Sequence, residues 1–124
     1  MLFDRKVMFC DDEAIVANGD VGDVINLNDP NLDLHIGEQA FIGIVVTEAL
    51  VATGTGVVFT IKTEATEGGS FDNNLIVSRE YLKAEFIPGA EFKLPIPDGC
   101  EQFIKITSVV DTPTAGKMTA GFVG

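Results

Sequence analysis

The chain has 124 residues, which is the size of one domain built around one core. Nineteen acidic against eight basic residues leave a formal charge of −11. That charge repels phosphate backbones and anionic bilayers, so direct nucleic-acid or membrane binding is not expected. Apolar residues make up 46% of the chain and the mean hydropathy is +0.28, so part of the apolar surface is expected to face another subunit.

Residues 1–19 read as an extended N-terminal arm, followed by a domain over residues 20–124. Leu2, Phe3, Val7, Met8 and Phe9 are apolar without a clean period, and Asp11-Asp12-Glu13 is a charge run. One helical turn over Ala14–Ala17 behind those acids is the alternative. Arg5 and Lys6 lie together in the arm and could meet an acidic surface on a partner. On this reading the arm can be removed without unfolding the domain.

Asn18-Gly19 is a turn signal. The next segment, Asp20–Leu27, reads as a strand with Val21, Asp23, Ile25 and Leu27 on one face, interrupted by Gly22. Asn28-Asp29-Pro30-Asn31 is a loop. Leu32 and Leu34 alternate with Asp33 and His35, as in a short edge strand.

Gln39–Val46 is apolar on both faces, the pattern of a strand covered on two sides. It is central in a sandwich or lies at a subunit interface, for which Phe41, Ile42, Ile44 and Val46 are the candidates. From Gln39 to Ile61 the only charge is Glu48, and the stretch is long enough to span a bilayer. Thr53-Gly54-Thr55-Gly56 breaks it, so two strands joined by a turn are the better reading.

Val57–Thr63 alternates, with Val57, Phe59 and Ile61 on one face. Glu64–Asn74 is a polar loop, Leu75–Ser78 a short strand, and Arg79–Lys83 a helical turn. Pro88-Gly89 turns the chain. Glu91–Ile96 places Phe92, Leu94 and Ile96 on one face, while Pro95 and Pro97 put it at an edge or strand end. Gln102–Val110 and Lys117–Val123 complete the set, the last with Met118, Ala120 and Phe122 on one face. Seven or eight strands without βαβ alternation give an all-β chain. The expected architecture is an antiparallel jelly-roll or Greek-key β-sandwich.

The chemistry is sparse. Cys10 and Cys100 read as two buried thiols or as a disulfide, which sequence alone does not decide. The charged start, Asp4-Arg5-Lys6, does not suit a signal peptide, so synthesis and use in a reducing cytoplasm are expected. His35 is the single histidine and has no partner at metal-ligand spacing. Neither cysteine has an obvious base beside it. Asp11-Asp12-Glu13, Asp20/Asp23 and Asp72-Asn73-Asn74 lack the spacing of a calcium loop, and solvated charge is the default. There is no Trp, Tyr81 is the one Tyr, and the nine Phe suit a core or an interface. No enzyme activity, cofactor or metal is expected.

Met1-Leu2-Phe3-Asp4, Phe9-Cys10-Asp11-Asp12-Glu13-Ala14-Ile15, Asp23-Val24-Ile25-Asn26-Leu27, Phe92-Lys93-Leu94-Pro95-Ile96-Pro97 and Gly116-Lys117-Met118-Thr119-Ala120-Gly121-Phe122 together resemble one family. It is the jelly-roll cement, or decoration, proteins on the heads of tailed phages, of the Bordetella podophage type. The family commonly has Ser at the Cys10 position and Asp at the Asn26 position. The resemblance runs along nearly the whole chain except Glu64–Ala90. It implies a structural virion protein, made in the bacterial host cytoplasm, that sits on the outer surface of the capsid. It would bridge neighbouring major capsid subunits against internal DNA pressure. It also implies a homo-oligomer, a dimer ahead of a trimer. The capsid contacts would be Leu2, Phe3, Arg5 and Lys6 of the arm. The competing reading is a receptor- or glycan-binding jelly-roll of a phage tail or fibre, for which clustered aromatics and a calcium site are wanting. A hydrolase on a β-sandwich is a third reading, without a visible nucleophile–base pair.

Overall fold

The computed structural model describes residues 3–27, 41–97 and 100–123, with backbone alone at 3–7 and 123. Its ten strands are β1 (Phe3–Ala14), β2 (Asn18–Asp20), β3 (Ile25–Asn26), β4 (Phe41–Ala52), β5 (Gly56–Glu64), β6 (Asn73–Val77), β7 (Tyr81–Leu82), β8 (Glu91–Pro95), β9 (Phe103–Val109) and β10 (Pro113–Val123). One sheet runs β1-β10-β4-β8, the other β2-β9-β5-β6, with β3 also on β9 and β7 also on β5. All pairings are antiparallel. Taking β2 with β3 and β6 with β7 leaves eight strands in two sheets of four. Their order is that of a jelly roll.

The core lies between the sheets and follows the period-2 rule. Val57, Phe59 and Ile61 of β5 are fully buried, as are Ile104 and Ile106 of β9. Opposite them, Ile42, Ile44 and Val46 of β4 pair in register with Phe122, Ala120 and Met118 of β10. An aromatic run closes one end of the core. Phe59 lies 6.3 Å from Phe86, Phe86 lies 6.1 Å from Phe92, and Phe92 stacks on Tyr81 at 4.2 Å between ring centres.

Four expectations change. Residues 3–14 are not an arm but an edge strand, and Phe9 and Ile15 belong to the same core as the rest of the chain, so residue 19 marks no domain boundary. Phe9 stacks on Phe122 at 5.9 Å, and removing residues 1–9 would strip it from the core. Second, Ile42, Ile44 and Val46 are buried within the single chain and have no surface to offer a partner, while Phe41 is half-buried. Third, Asp20–Leu27 is not one strand. Gly22 takes φ +84°, and a Cβ there would collide with the Phe9 carbonyl oxygen and with Cys10. The bend lets Asp23 donate its N–H to the Phe9 carbonyl at 2.7 Å, while Val21 and Leu27 still bond the β9 side. Fourth, Arg79–Lys83 holds the short strand β7, and the turn comes after it, where the Glu85 and Phe86 N–H groups reach the Leu82 carbonyl.

The stretch from Gln39 to Ile61 forms two strands in its described part, as expected, and the turn between them carries the chain from one sheet to the other. Among the described residues no helix is long and apolar enough to cross a membrane. The edge position of β8 also agrees with its prolines. The expected strand Leu32–His35 lies outside the described residues.

Phe59 touches two other rings and is fully buried. Phe59→Ala should therefore cost about 3–5 kcal/mol of stability, read as a lower urea midpoint at unchanged slope.

Candidate interaction surfaces

With the inward faces committed to the core, binding falls to the outward faces and loops. On β5 the residues between the buried ones, Val58 and Thr60, point outward. Val109 lies opposite Val58 in register, and Thr107 and Val77 flank Thr60. Val109 and Val77 are 49% and 58% exposed. Leu82, opposite Gly56, extends the same row at 47%. The outer face of this sheet thus carries a ridge of exposed apolar side chains at one end.

The other end of that face is built differently. Phe103 of β9 lies between Asn26 of β3 and Glu64 of β5 in register. The loop 65–72 folds over this row and delivers Phe71, which is buried although its φ is +54°. A left-handed phenylalanine is strained and is held only where its surroundings demand it. Here the ammonium of Lys105 lies 4.4 Å from the ring centre, and Asp20 fixes that lysine at 3.0 Å. Between loop and sheet a cleft of about 420 Å³ remains, lined by Val24, Asn26, Glu67, Gly68, Phe71 and Phe103.

The first sheet presents acids. Cys10 pairs with Ala120 and Glu13 with Met118, so three steps on β1 match two on β10, and the extra residue makes a bulge. Asp12 sits there at φ +54°. Thr119 holds the bulge by donating to the Asp11 carboxylate at 3.2 Å and accepting the Asp12 N–H at 3.0 Å. Thr47 donates to the Asp12 carboxylate at 2.6 Å. Among the described residues no three His, Cys, Asp or Glu side chains form a group able to hold a metal ion.

A fourth cluster is a latch. The Arg79 guanidinium donates to both Glu85 oxygens at 2.8 and 2.9 Å and lies over the Tyr81 ring at 4.5 Å. Glu85 also accepts the Leu82 N–H at 3.1 Å. These bonds hold its carboxyl down at about 2 against an ordinary value of 4.5.

Of the sequence-based candidates, Leu2 and His35 lie outside the described residues. Phe3, Arg5 and Lys6 are backbone positions within β1. Phe3 and Phe41 both pair with Val123 of β10, from opposite sides, and the Lys93 ammonium lies 5.9 Å from the Phe41 ring centre. Cys10 and Cys100 are both free thiols. Burial pushes Cys10 up to about 12 and raises Cys100 as well. The cleft at Phe71 escaped sequence reading, because its lining comes from three separate segments.

A family model named Bbp16 matches residues 9–123. The chain belongs to the Bbp16 family. This is a family associated with Bordetella phage, and the sandwich fold fits a phage structural protein. No curated protein matches the chain.

Two expectations follow from these geometries. A thiol reagent at pH 8 should label Cys100, which is half-buried, well before Cys10, which should react only on unfolding. The depressed carboxyl of Glu85 adds stability that is full above its unfolded value of 4.5 and is lost as pH falls toward 2. Glu85→Gln should therefore flatten the acid limb of the stability curve over that window at low salt, as read by urea midpoints at each pH.

Proposed function

We propose that this Bbp16-family protein is a non-enzymatic cement protein of the phage head. It binds the outside of the assembled shell and bridges neighbouring major capsid subunits. The family match over residues 9–123 carries the reading. The fold is compatible with it, since a jelly roll with a filled core offers rigid outer faces for docking. The exposed Val77, Val109 and Leu82, with half-buried Val58 between them, add an apolar contact of the kind a stable interface buries. A charge of −11 suits the shell exterior, away from packaged DNA.

The physical basis of stabilisation is avidity. One copy that touches two capsomers, or an oligomer that does so, makes its second contact intramolecular, so modest interfaces sum to a strong clamp. Because β1 is part of the sandwich, shell contact does not require a detachable arm.

Purified protein should co-sediment with mature phage heads that lack it and raise the temperature at which those heads rupture. Absence from the head fraction, with binding instead to tails or to glycans, would replace this reading with the adhesion module.

A further inference from the structure

The cleft beside Phe71 combines three properties that suit one kind of guest. Its floor and walls are apolar, from Phe103, Phe71 and Val24. Its volume of about 420 Å³ is at the small end for a ligand site and is ample for one long side chain. Its lining includes one carboxylate, Glu67, and a second, Glu64, lies beside Phe103 on the same sheet face. Glu67 is exposed and makes no ion pair or hydrogen bond among the described residues. Glu64 stands next to Phe103 in register, where the Thr66 hydroxyl donates to it at 3.1 Å.

A long apolar stem with a positive tip matches such a site, because the stem covers the rings while the tip meets the acid. Phe71 already receives one ammonium on its ring from Lys105. That lysine would repel a second cation, but Asp20 neutralises it at 3.0 Å. The surrounding charge of −11 further favours a cationic guest and speeds its approach. The cleft also lies on the same sheet face as the valine ridge. Val58 and Glu64 are on one strand, about 20 Å apart at the usual strand rise. A single protein surface lying along β5 can reach both.

We propose that this cleft is an anchor socket for a lysine or arginine side chain of a partner protein docked on the outer face of the sheet that contains β5 and β9. If the function proposed above holds, that partner is the shell, and this clause alone rests on that reading.

The test uses the full chain and a small probe, so that it does not depend on the shell. Backbone amide shifts are followed by NMR while N-acetyl-arginine methylamide is added, with N-acetyl-norleucine methylamide as the uncharged control. The arginine probe should move the amides of Val24, Gly68, Phe71 and Phe103 in a saturable way. Glu67→Gln should weaken it about two- to fivefold, the range expected for one exposed ion pair. Equal response to the norleucine probe, or no change in Glu67→Gln, would overturn the cationic socket, as would no saturable shift at those residues.

Head binding separates the two readings. Glu67→Lys should reduce co-sedimentation if wild type binds heads. Wild-type binding that Glu67→Lys leaves intact would overturn the socket as a shell contact. Failure of wild type to bind would defeat the cement reading, while the probe titration would still judge the socket.

Discussion

The fold depends on β10 taking its place between β1 and β4. Along that strand Met118, Ala120 and Phe122 meet Val46, Ile44 and Ile42 in register, and all six are buried. A shift of β10 by one residue would turn its Met118, Ala120 and Phe122 outward, so burial itself fixes the register. The partners are far apart in sequence. Loop closure must therefore be met before any of these contacts contributes, which makes folding non-local. Once β10 is seated, β1 gains its own partner, Phe9 meets Phe122, and the first sheet is complete.

The same alternation that fills the core sets the character of the outside. On β5 and β9 the inward residues are Val, Phe and Ile together with buried Thr63 and Ser108, and the outward ones run from valine through threonine and lysine to the Glu64–Phe103 pair. One face is thus graded from an apolar ridge to a cleft with Glu67 in its lining. The sheet edges are blunted rather than sticky. β8 carries Lys93 and Pro95, β1 is bulged, and the β2–β3 edge is split at Gly22. Such a sandwich has little tendency to extend its sheets into a neighbour, so docking falls to side chains on the faces.

Electrostatics follow from how few bases there are. Arg79 is held by Glu85, Lys105 by Asp20, and Lys83 donates to the Ala52 carbonyl at 3.1 Å. These cations tie loops to strands within the chain. The excess acids remain at the surface, including Asp11, Asp12 and Glu13 on the β1 bulge. The surface is therefore a negative field with apolar ground beneath it. For the proposed cement role, this polarity favours the outer side of a shell over the DNA side, and for the proposed socket it favours a basic anchor over an acidic one.

Clean alternation was legible in the sequence. Val57–Thr63, Glu91–Ile96 and Lys117–Val123 showed their inward faces through period 2, and the structure buries those faces, with Phe92 and Ile96 only half-buried. The apolar character of Phe41–Val46 was equally plain, but whether another sheet or another subunit covered it depended on what lay across the core, which no local pattern contains. β1 was misread because its bulges break the period, so adjacent Phe9 and Cys10 are both buried and the strand resembles irregular chain. Gly22 looked like a flaw in one strand and proved to be the bend that joins β1 to the second sheet. The charge, the all-β class and the scarcity of reactive groups came from composition and short-range pattern. The cleft at Phe71 came only from tertiary structure, because Val24, Glu67 and Phe103 are distant in sequence. Strand register and one left-handed residue bring them together.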